Sequence, residues 1–338
     1  MLDLWKRLVS WRKLISLKKE NDISTLKRID VLDTHLDSDN LGDEIINYYC
    51  YNILKELNID IDKKVPTHRN FNAKLREGRL KLVTGTNILG PRSLNKNSLW
   101  KIPDDIHNIV NAGLLGAGWV TYEDRTPRYT QLFLNKILSD SFVHSVRDSY
   151  TLNKMKTICP NKRVVNTACP TMWNLTKTHC DKIPVKKSNR VVTTITDYNQ
   201  NEMDWKMIDI LIDNYQDVYV WLQGDKDLKY LQNYPKFNLL KIIPNEFSEY
   251  NNFLEDNHVD YVGTRLHAGI HALNKYKRTI IISIDNRSLE ISKDTNLPII
   301  KREDITSKLS TIINGNMHTE INLPVKNIKL WKNQFINF

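Results

Sequence analysis

The sequence predicts an α/β protein built from two successive Rossmann-like halves, and three observations lead to this prediction. Short apolar segments with strand character repeatedly run into polar or glycine-containing loops before amphipathic helices, which is the pattern of βα units in a parallel sheet. A basic stretch at 176–189, poor in apolar residues, interrupts this pattern once and has the character of a linker. The length of 338 residues suffices for two domains with separate cores.

The first half, residues 26–175, is predicted to be an N-terminal Rossmann-like domain. Its strands are expected at 29–32, 80–84, 106–111 and 142–146. A helix is expected after the polar loop 37–43, because apolar residues then recur at helical spacing. The glycines at 113–118 follow the order GxxGxG, whereas the dinucleotide fingerprint is GxGxxG in the first βαβ unit, so NAD binding is not indicated.

The second half, residues 190–315, is predicted to be a C-terminal Rossmann-like domain. Its strands are expected at 190–196, 218–222, 239–243, 261–262 and 279–283, and its helices at 204–215, 248–257 and 266–273. A polar tail at 316–338 carries Trp331, Phe335 and Phe338 and is expected to pack back across the domains. Two such halves joined by a linker predict a cleft between facing domains.

Composition narrows the functional classes. A hydrophobic content of 41% and a charged content of 26% are typical of a soluble globular protein. The net charge of +10 favours acidic partners, but the basic residues are scattered and form no nucleic-acid motif, so nucleic acid is not expected as a partner. The 4 cysteines lie in no CxxC spacing, which favours reduced thiols in a cytoplasmic protein. No apolar run approaches the about 20 residues of a transmembrane helix.

Residues 1–20 predict a basic amphipathic helix. Its apolar stripe consists of Leu4, Leu8, Trp11 and Ile15, with Trp5 and Leu14 nearby. Its basic residues are Lys6, Arg7, Arg12, Lys13, Lys18 and Lys19. Such a helix suits peripheral contact with the inner face of the cell membrane, and it suits equally a helix packed on the body of the protein or on a partner.

The segment 262–273 carries the clearest chemical signal. Arg265 and His267 follow Gly263 and precede an apolar helix, which places them at the carboxyl edge of a parallel sheet, where α/β proteins bind ligands. A guanidinium there can bind a phosphate or carboxylate, and an imidazole can move a proton near neutral pH. The residues alone leave a second interpretation open, namely a structural arginine and a capped histidine at a helix start.

Four motifs stand at predicted strand ends. They are Asn40-Leu41-Gly42-Asp43-Glu44, Ser145-Val146-Arg147-Asp148-Ser149, Cys169-Pro170 and Gly263-Thr264-Arg265-Leu266-His267-Ala268. In this order and spacing the chain resembles the polysaccharide pyruvyl transferase family, whose members carry N-x-G-D-E, S-V-R-D-S and G-x-R-L-H-A. The resemblance covers residues 30–285 and departs at Cys169-Pro170, where many members have Asp-Pro.

The resemblance implies a GT-B-like fold of two facing Rossmann-like domains and transfer of pyruvate from phosphoenolpyruvate to a sugar as a cyclic ketal. It implies that Arg265 and Arg147 bind the phosphate and carboxylate of this donor, and that His267 acts as the acid or base. Leu266 is expected to turn into the core while its two neighbours face the cleft. His271 is expected to be structural.

The remaining expected substrate contacts are Asn40, Gly42, Asp43 and Arg287. Asp43 either binds the acceptor sugar or caps a helix. Other members often carry a lysine motif after the last strand, and here Arg287 stands in its place and is expected to supply the charge. Asp148 either orients Arg147 by an ion pair or caps the next helix. No histidine has metal-ligand spacing with carboxylates, so no metal is predicted, and no cofactor is predicted besides phosphoenolpyruvate as donor substrate.

Three functions remain open from the sequence. The first is a pyruvyl transferase of capsule or exopolysaccharide assembly, with a glycan or lipid-linked sugar as acceptor. The second is a GT-B-type glycosyltransferase that uses a nucleotide-sugar donor, because an anion-binding second domain suits diphosphates equally well. The third is a catalytically silent binding or scaffold protein that keeps the fold.

Overall fold

The computed structural model describes residues 12, 14–17, 23–91, 100–101, 103, 105–224 and 226–336. They form two compact units. The first unit comprises the described parts of 1–38, 46–170 and 324–338. The second comprises those of 39–45 and 171–323.

Strands and helices alternate along most of the described chain. The strands are β1 (Arg28–Asp33), β2 (Asp60–Pro66), β3 (Lys81–Thr84), β4 (Ala112–Leu115), β5 (His144–Val146), β6 (Val164–Asn166), β7 (Arg190–Thr193), β8 (Asp217–Trp221), β9 (Leu240–Ile243), β10 (Asp260–Gly263), β11 (Thr279–Ser283) and β12 (Ile299–Lys301). The helices are α1 (Leu41–Glu56), α2 (Arg128–Ile137), α3 (Ser149–Ile158), α4 (Lys177–Cys180), α5 (Glu202–Asn214), α6 (Asp227–Leu231), α7 (Phe247–Asp256), α8 (Leu266–Asn274), α9 (Asn286–Thr295), α10 (Ile305–Asn314) and α11 (Val325–Asn333).

The first unit contains a parallel sheet in the order β2-β1-β3-β4 and a parallel pair β5-β6. A parallel bridge between Ala117 and Val146 joins the segments that follow β4 and end β5. The residues of β3 and β4 are buried throughout, as expected for strands covered on both faces. The polar loops after β1, β3, β4 and β5 therefore lie at one edge of this unit.

The second unit is built on a six-stranded parallel sheet in the order β12-β11-β10-β7-β8-β9. In the order of the chain this is the Rossmann arrangement 3-2-1-4-5-6. The direction of strand progression reverses between β7 and β10, which are hydrogen-bonded neighbours. Ligands of open α/β sheets bind outside the carboxyl ends of the strands at such a reversal, so the loops after β7 and β10 are the expected position of a site.

Most of the predicted strands and helices are present, and the strand at 279–283 has the predicted bounds. The strand predicted at 106–111 is wrong. A short 3-10 helix, Ile106–Ile109, forms there because the Asp105 side chain accepts a hydrogen bond from the His107 amide, and the strand follows at β4 instead. Sequence patterning missed β2, β6 and β12, of which two are only three residues long and one is largely exposed.

The two compact units differ from the predicted domain boundaries. The segment 176–189, expected to be a linker, belongs to the second unit, where Cys180 and Ile183 are buried and the Val185 carbonyl accepts a hydrogen bond from the Met317 amide at 3.0 Å. Residues 171–175 and 316–323 also belong to this unit, as does 39–45. The composition of the segment predicted a linker, because composition carries no information on contacts between residues far apart in sequence.

The chain's last described helix packs in the first unit. Trp331 and Phe335 are fully buried, and both rings contact Phe142, with ring centroids at 6.2 and 5.8 Å. The Trp331 indole nitrogen also donates a hydrogen bond to the Leu114 carbonyl at 3.3 Å. Residues 324–336 are therefore part of the first unit's core, and Phe338 lies outside the described residues.

Only a small part of the predicted N-terminal helix is described. Leu14 and Leu17 are buried in the first unit's core, whereas Ile15, which was assigned to the apolar stripe, is 63% exposed. Leu4, Trp5, Leu8 and Trp11 lie outside the described residues, so membrane contact by this segment stays a prediction. Among the helices of the described chain, none is long and apolar enough to cross a membrane.

A buried histidine of the first unit makes stability depend on pH. Burial lowers the pKa of His144 from 6.5 to about 4, while its Nε2 lies 2.9 Å from the Ser139 carbonyl oxygen. Because the folded-state pKa is depressed, its stabilisation is present above pH 6.5 and is lost as the pH falls towards about 4. We expect this group alone to make the free energy of unfolding of the wild type, measured with urea, about 2 kcal/mol smaller at pH 5 than at pH 7. The His144→Gln variant should lack that part of the change, and equal pH dependence in both proteins would contradict this account.

Candidate functional site

The site is organised by the loops that follow β7 and β10 in the second unit. The Thr264 amide donates to the Thr194 carbonyl at 3.0 Å, and the Arg265 amide donates to Thr194 Oγ1 at 3.2 Å. Gly263 permits this approach, because a Cβ at this position would lie 2.5 Å from Thr194 Oγ1 and 2.7 Å from the Thr194 nitrogen. The two loops are therefore held together at the point where the strand order reverses.

Arg265 is the centre of this arrangement. Its side chain is buried, and its Nε donates to the Ile195 carbonyl at 2.9 Å. Its Nη2 donates to Asp227 Oδ1 at 2.6 Å and to Asp197 Oδ1 at 3.1 Å. The ring of Tyr198 lies 5.2 Å from Cζ, within range of a cation–π contact. These bonds fix the guanidinium through Nε and Nη2, and none of them involves Nη1.

The electrostatics around Arg265 differ from those of a free anion clamp. Asp227 is fully buried, and burial raises its pKa while the neighbouring guanidinium opposes the rise. Two carboxylates thus face one guanidinium. Arg265 is accordingly a positioned hydrogen-bond donor whose charge is largely offset within the protein.

A second source of positive potential adjoins Arg265. It is the N-terminus of α8, where Arg265 occupies the N-cap position without capping the helix through its side chain. The backbone amides of the first turn and the helix dipole make the N-terminus of a helix favourable for an anion. His267 is the second residue of α8 and only 5% exposed. Leu266 was expected to be buried in the core while Arg265 and His267 face a cleft. Its exposed fraction of 6% does not distinguish it from those two residues, which are equally buried.

His271, one turn further along α8, has the character of a core residue. It is fully buried, and burial lowers its pKa to about 3. Its ring packs edge-on against Phe247, with the centroids 5.0 Å apart. A histidine in this environment stays neutral at physiological pH, in keeping with the structural role expected for it.

Arg287 is brought to the same group of residues as Arg265. Asp285 caps α9 by accepting from the Arg287 amide at 2.9 Å, and its other oxygen accepts from Arg287 Nε at 2.8 Å. Arg287 Nη2 donates to the Tyr198 hydroxyl at 2.9 Å. Tyr198 therefore contacts both arginines, and its ring is 60% exposed.

The early turn also belongs to the second unit. Asn40 Oδ1 accepts from the Gly42 amide at 3.1 Å and so caps α1. The same oxygen accepts from Gln223 Nε2 at 2.8 Å. Gly42 permits this pairing, because a Cβ there would lie 2.8 Å from Gln223 Nε2. The capping role considered for Asp43 is thus performed by Asn40, and Asp43 is a buried residue of the first helical turn.

Arg147 lies in the first unit, whereas the site residues described above belong to the second unit. It is 1% exposed, its Nη2 donates to Asn87 Oδ1, and its Nε lies 3.4 Å from Asp148 Oδ2. Gly118 makes room for it, since a Cβ there would lie 2.3 Å from Cζ. Asp148 also caps α3 by accepting from the Thr151 amide at 2.7 Å, so the two roles considered for it coexist.

Four residues of this site were not singled out from the sequence. They are Asp197, Tyr198, Gln223 and Asp227. Each lies in a polar stretch that begins shortly after β7 or β8, which is the signal that could have found them. Among the described residues, no group of three His, Cys, Asp or Glu side chains could hold a metal ion, and the prediction that no metal is used stays a prediction.

Comparison with known families decides the assignment. The model of the polysaccharide pyruvyl transferase family matches residues 40–286, which is most of the chain. The chain belongs to the polysaccharide pyruvyl transferase family. Its match begins at the Asn40 turn, ends just before Arg287 and includes Arg147, Arg265 and His267. The resemblance recognised from the motifs is therefore confirmed, and it assigns the chain to a family of transferases.

One solved structure supports the fold of this pyruvyl transferase family member. The UDP-GlcNAc 2-epimerase of Methanocaldococcus jannaschii, in complex with UDP-GlcNAc and UDP, is 12% identical over 92% of this chain and 99% of that chain, with a TM-score of 0.50. The wall teichoic acid polymerase TagF with CDPG is 11% identical over 99% of this chain and 90% of that chain, with a TM-score of 0.40. No curated protein sequence matches significantly. The predicted α/β class with two Rossmann-like, GT-B-like domains is confirmed.

The close packing at Gly263 gives a test of the site's architecture. Gly263→Ala places a methyl group against the Thr194 backbone, which must shift, and we expect it to cost about 1–3 kcal/mol in the free energy of unfolding. Gly315→Ala is the matched control in the same unit, because its Cβ would meet nothing closer than the Thr311 carbonyl at 3.2 Å. Urea unfolding measures both, and an undisturbed Gly263→Ala protein would argue against the tight contact between the two loops.

Proposed function

We propose that this protein transfers pyruvate from phosphoenolpyruvate to two hydroxyls of one sugar in a cell-surface polysaccharide or its precursor, forming a cyclic ketal. The observation that carries the proposal is that Arg265 and His267 stand two residues apart at the N-terminus of α8, inside the region that matches the family. A positioned guanidinium and a helix N-terminus suit the phosphate of the donor. His267 is proposed as the proton-transfer group, because an imidazole can give and take a proton near neutral pH.

The proposed reaction conserves all atoms and electrons. One sugar hydroxyl adds to C2 of phosphoenolpyruvate while C3 gains a proton, which His267 supplies. The bond between C2 and the phosphate oxygen then breaks and releases inorganic phosphate, and the second hydroxyl adds to C2. Of the two hydroxyl protons, one replaces the proton given to C3 and one departs with phosphate. No redox step occurs, so the reaction requires no cofactor besides the donor substrate.

The other predicted residues have supporting roles in this proposal. Arg287 offers a second guanidinium beside Tyr198 for the donor carboxylate. Asn40, Gly42 and Asp43 are proposed to serve the acceptor sugar, and Arg147 is proposed to bind substrate. A lipid-linked or other glycan acceptor, assembled on the cytoplasmic side of the membrane, would agree with the basic segment 1–20.

The experiment is incubation with phosphoenolpyruvate and a panel of glycan precursors. Release of inorganic phosphate together with an acceptor mass gain equal to one pyruvate ketal is the expected result. A parallel incubation replaces phosphoenolpyruvate with UDP- and CDP-activated donors. Release of a nucleoside diphosphate there, with no ketal in the first incubation, would overturn the proposal in favour of a glycosyltransferase.

A further inference from the structure

Asp227 uses both of its carboxylate oxygens to hold the loops of the site. It is the first residue of α6 and fully buried. Its Oδ1 accepts from Arg265 Nη2 at 2.6 Å and from the Asp197 amide at 3.2 Å. Its Oδ2 accepts from the Gln223 and Gly224 amides at 3.1 and 2.9 Å. One carboxylate thus holds a guanidinium and three backbone amides.

The residues on the Oδ2 side connect to the early turn. Gln223 Nε2 donates to Asn40 Oδ1 at 2.8 Å, and the Gln223 carbonyl accepts from the Leu41 amide at 3.3 Å. Gly224 forms an antiparallel bridge with Asn40. The loop 223–224 is therefore fixed to the turn 40–42 on one side and to Asp227 on the other.

The residues on the Oδ1 side connect to the late motif. Arg265 is anchored there, and Gly224 leaves room for it, because a Cβ on Gly224 would lie 3.0 Å from Arg265 Nη2. The first and last family motifs are more than 200 residues apart in sequence, yet they meet in one hydrogen-bond network within the second unit. Asp227 is the residue that both halves of this network share.

We infer that Asp227 is a positioning residue that couples the Asn40–Gly42 turn to Arg265, so that the acceptor and donor ends of the site are held in one fixed geometry. This inference rests on the proposed function for the identity of the two ends. A carboxylate is required because four donors converge on it. In an asparagine at this position, the side-chain NH2 group would face either Arg265 or the backbone amides of Gln223 and Gly224. A donor would then meet a donor, and the hydrogen bonds on that side of the network would be lost.

The test compares Asp227→Asn with Asp260→Asn in the full-length protein. Asp260 is a matched control: it is also buried in the second unit and paired with an arginine, with its Oδ2 at 3.0 Å from Arg278 Nη1, but it lies at the opposite end of β10 from Arg265. Two readouts are used. The first is hydrogen–deuterium exchange of residues 39–45 and 264–267, and the second is the separation of kcat from KM for phosphoenolpyruvate and acceptor.

We expect Asp227→Asn to accelerate exchange in both segments and to raise KM for both substrates at least about tenfold, as loss of one positioned charge-assisted bond implies. Both variants should lower the melting temperature by similar amounts. Asp260→Asn, however, should leave exchange in both segments and both KM values as in the wild type. Unchanged exchange in either segment of Asp227→Asn would overturn the coupling. Faster exchange in both segments with unchanged KM values would overturn the role in substrate positioning.

The exchange readout is independent of the proposed function. If the wild type transfers no pyruvate, the proposed function fails, and exchange still decides whether Asp227 couples the two segments. Should Asp227→Asn not fold, Gln223→Met removes the bond from Gln223 to Asn40, and Asp197→Ala removes the bond from Arg265 to Asp197. Gln223→Met is then expected to accelerate exchange only at 39–45, and Asp197→Ala only at 264–267. Exchange equal to that of the wild type in both variants would overturn the inference.

Discussion

Replacing Arg265 by lysine is expected to lower kcat/KM for phosphoenolpyruvate at least about 100-fold, the effect of removing a pre-positioned donor from an active site. The guanidinium makes separate bonds to the Ile195 carbonyl and to the carboxylates of Asp197 and Asp227. These bonds come from two separate nitrogens, Nε and Nη2, and a lysine ammonium, whose three donors share one nitrogen, cannot occupy both positions. The anchored donor would therefore be lost even though the charge is retained. Steady-state kinetics with saturating acceptor measure this loss.

The control for Arg265→Lys is Arg278→Lys. Arg278 is equally buried in the same unit and binds Asp260 at 3.0 Å and the carbonyls of Ile312 and Ile313 at 2.8 and 3.0 Å. We expect both variants to lose stability, because each disturbs a buried ion pair. Only Arg265→Lys should lose catalysis after correction for folded protein. Equal kcat/KM for Arg265→Lys and Arg278→Lys would show that Arg265 is purely structural.

Replacing His267 by glutamine is expected to lower kcat by about 100- to 10,000-fold, the range typical for loss of a general acid or base. Glutamine keeps hydrogen-bonding capacity but cannot deliver a proton to C3 of the donor. Because the anion-binding groups stay in place, the affinity for phosphoenolpyruvate should change little. Single-turnover measurements separate the chemical step from binding.

His271→Gln is the matched control for this prediction. His271 lies one turn away on α8, and its ring packs against Phe247 and Tyr250 in the core. We expect His271→Gln to reduce stability and to leave kcat within a few-fold of the wild type. A loss of kcat in His271→Gln as large as that in His267→Gln would mean that damage to α8, rather than loss of a proton donor, explains both results.

Local patterning was sufficient to predict much of the second unit. Its strands are apolar and run directly into polar loops, and the strand at 279–283 and the helix beginning at Leu266 follow from that alternation. The position of Arg265 and His267 after a strand and before a helix was predicted for the same reason. Such signals depend only on residues close together in sequence.

The rest depends on contacts between residues far apart in sequence. Asn40 and Gly42 were assigned to the first domain because they follow the first strand, but the structure groups 39–45 with the second unit through Gln223. Asp227 was missed because nothing in its immediate neighbours predicts that four donors converge on it. The strand misplaced at 106–111 shows the same limit, since Asp105 closes a turn in a segment whose apolar residues also suit a strand.

The most direct test of the account is calorimetric titration of phosphoenolpyruvate into the wild type, Arg265→Lys and His267→Gln. The account predicts that the wild type and His267→Gln bind phosphoenolpyruvate with similar affinity, because the anion-binding groups are common to both. It predicts at least about tenfold weaker binding by Arg265→Lys, as one lost charge-assisted bond implies. Binding by Arg265→Lys equal to that of the wild type, or no binding by the wild type with acceptor present, would contradict it.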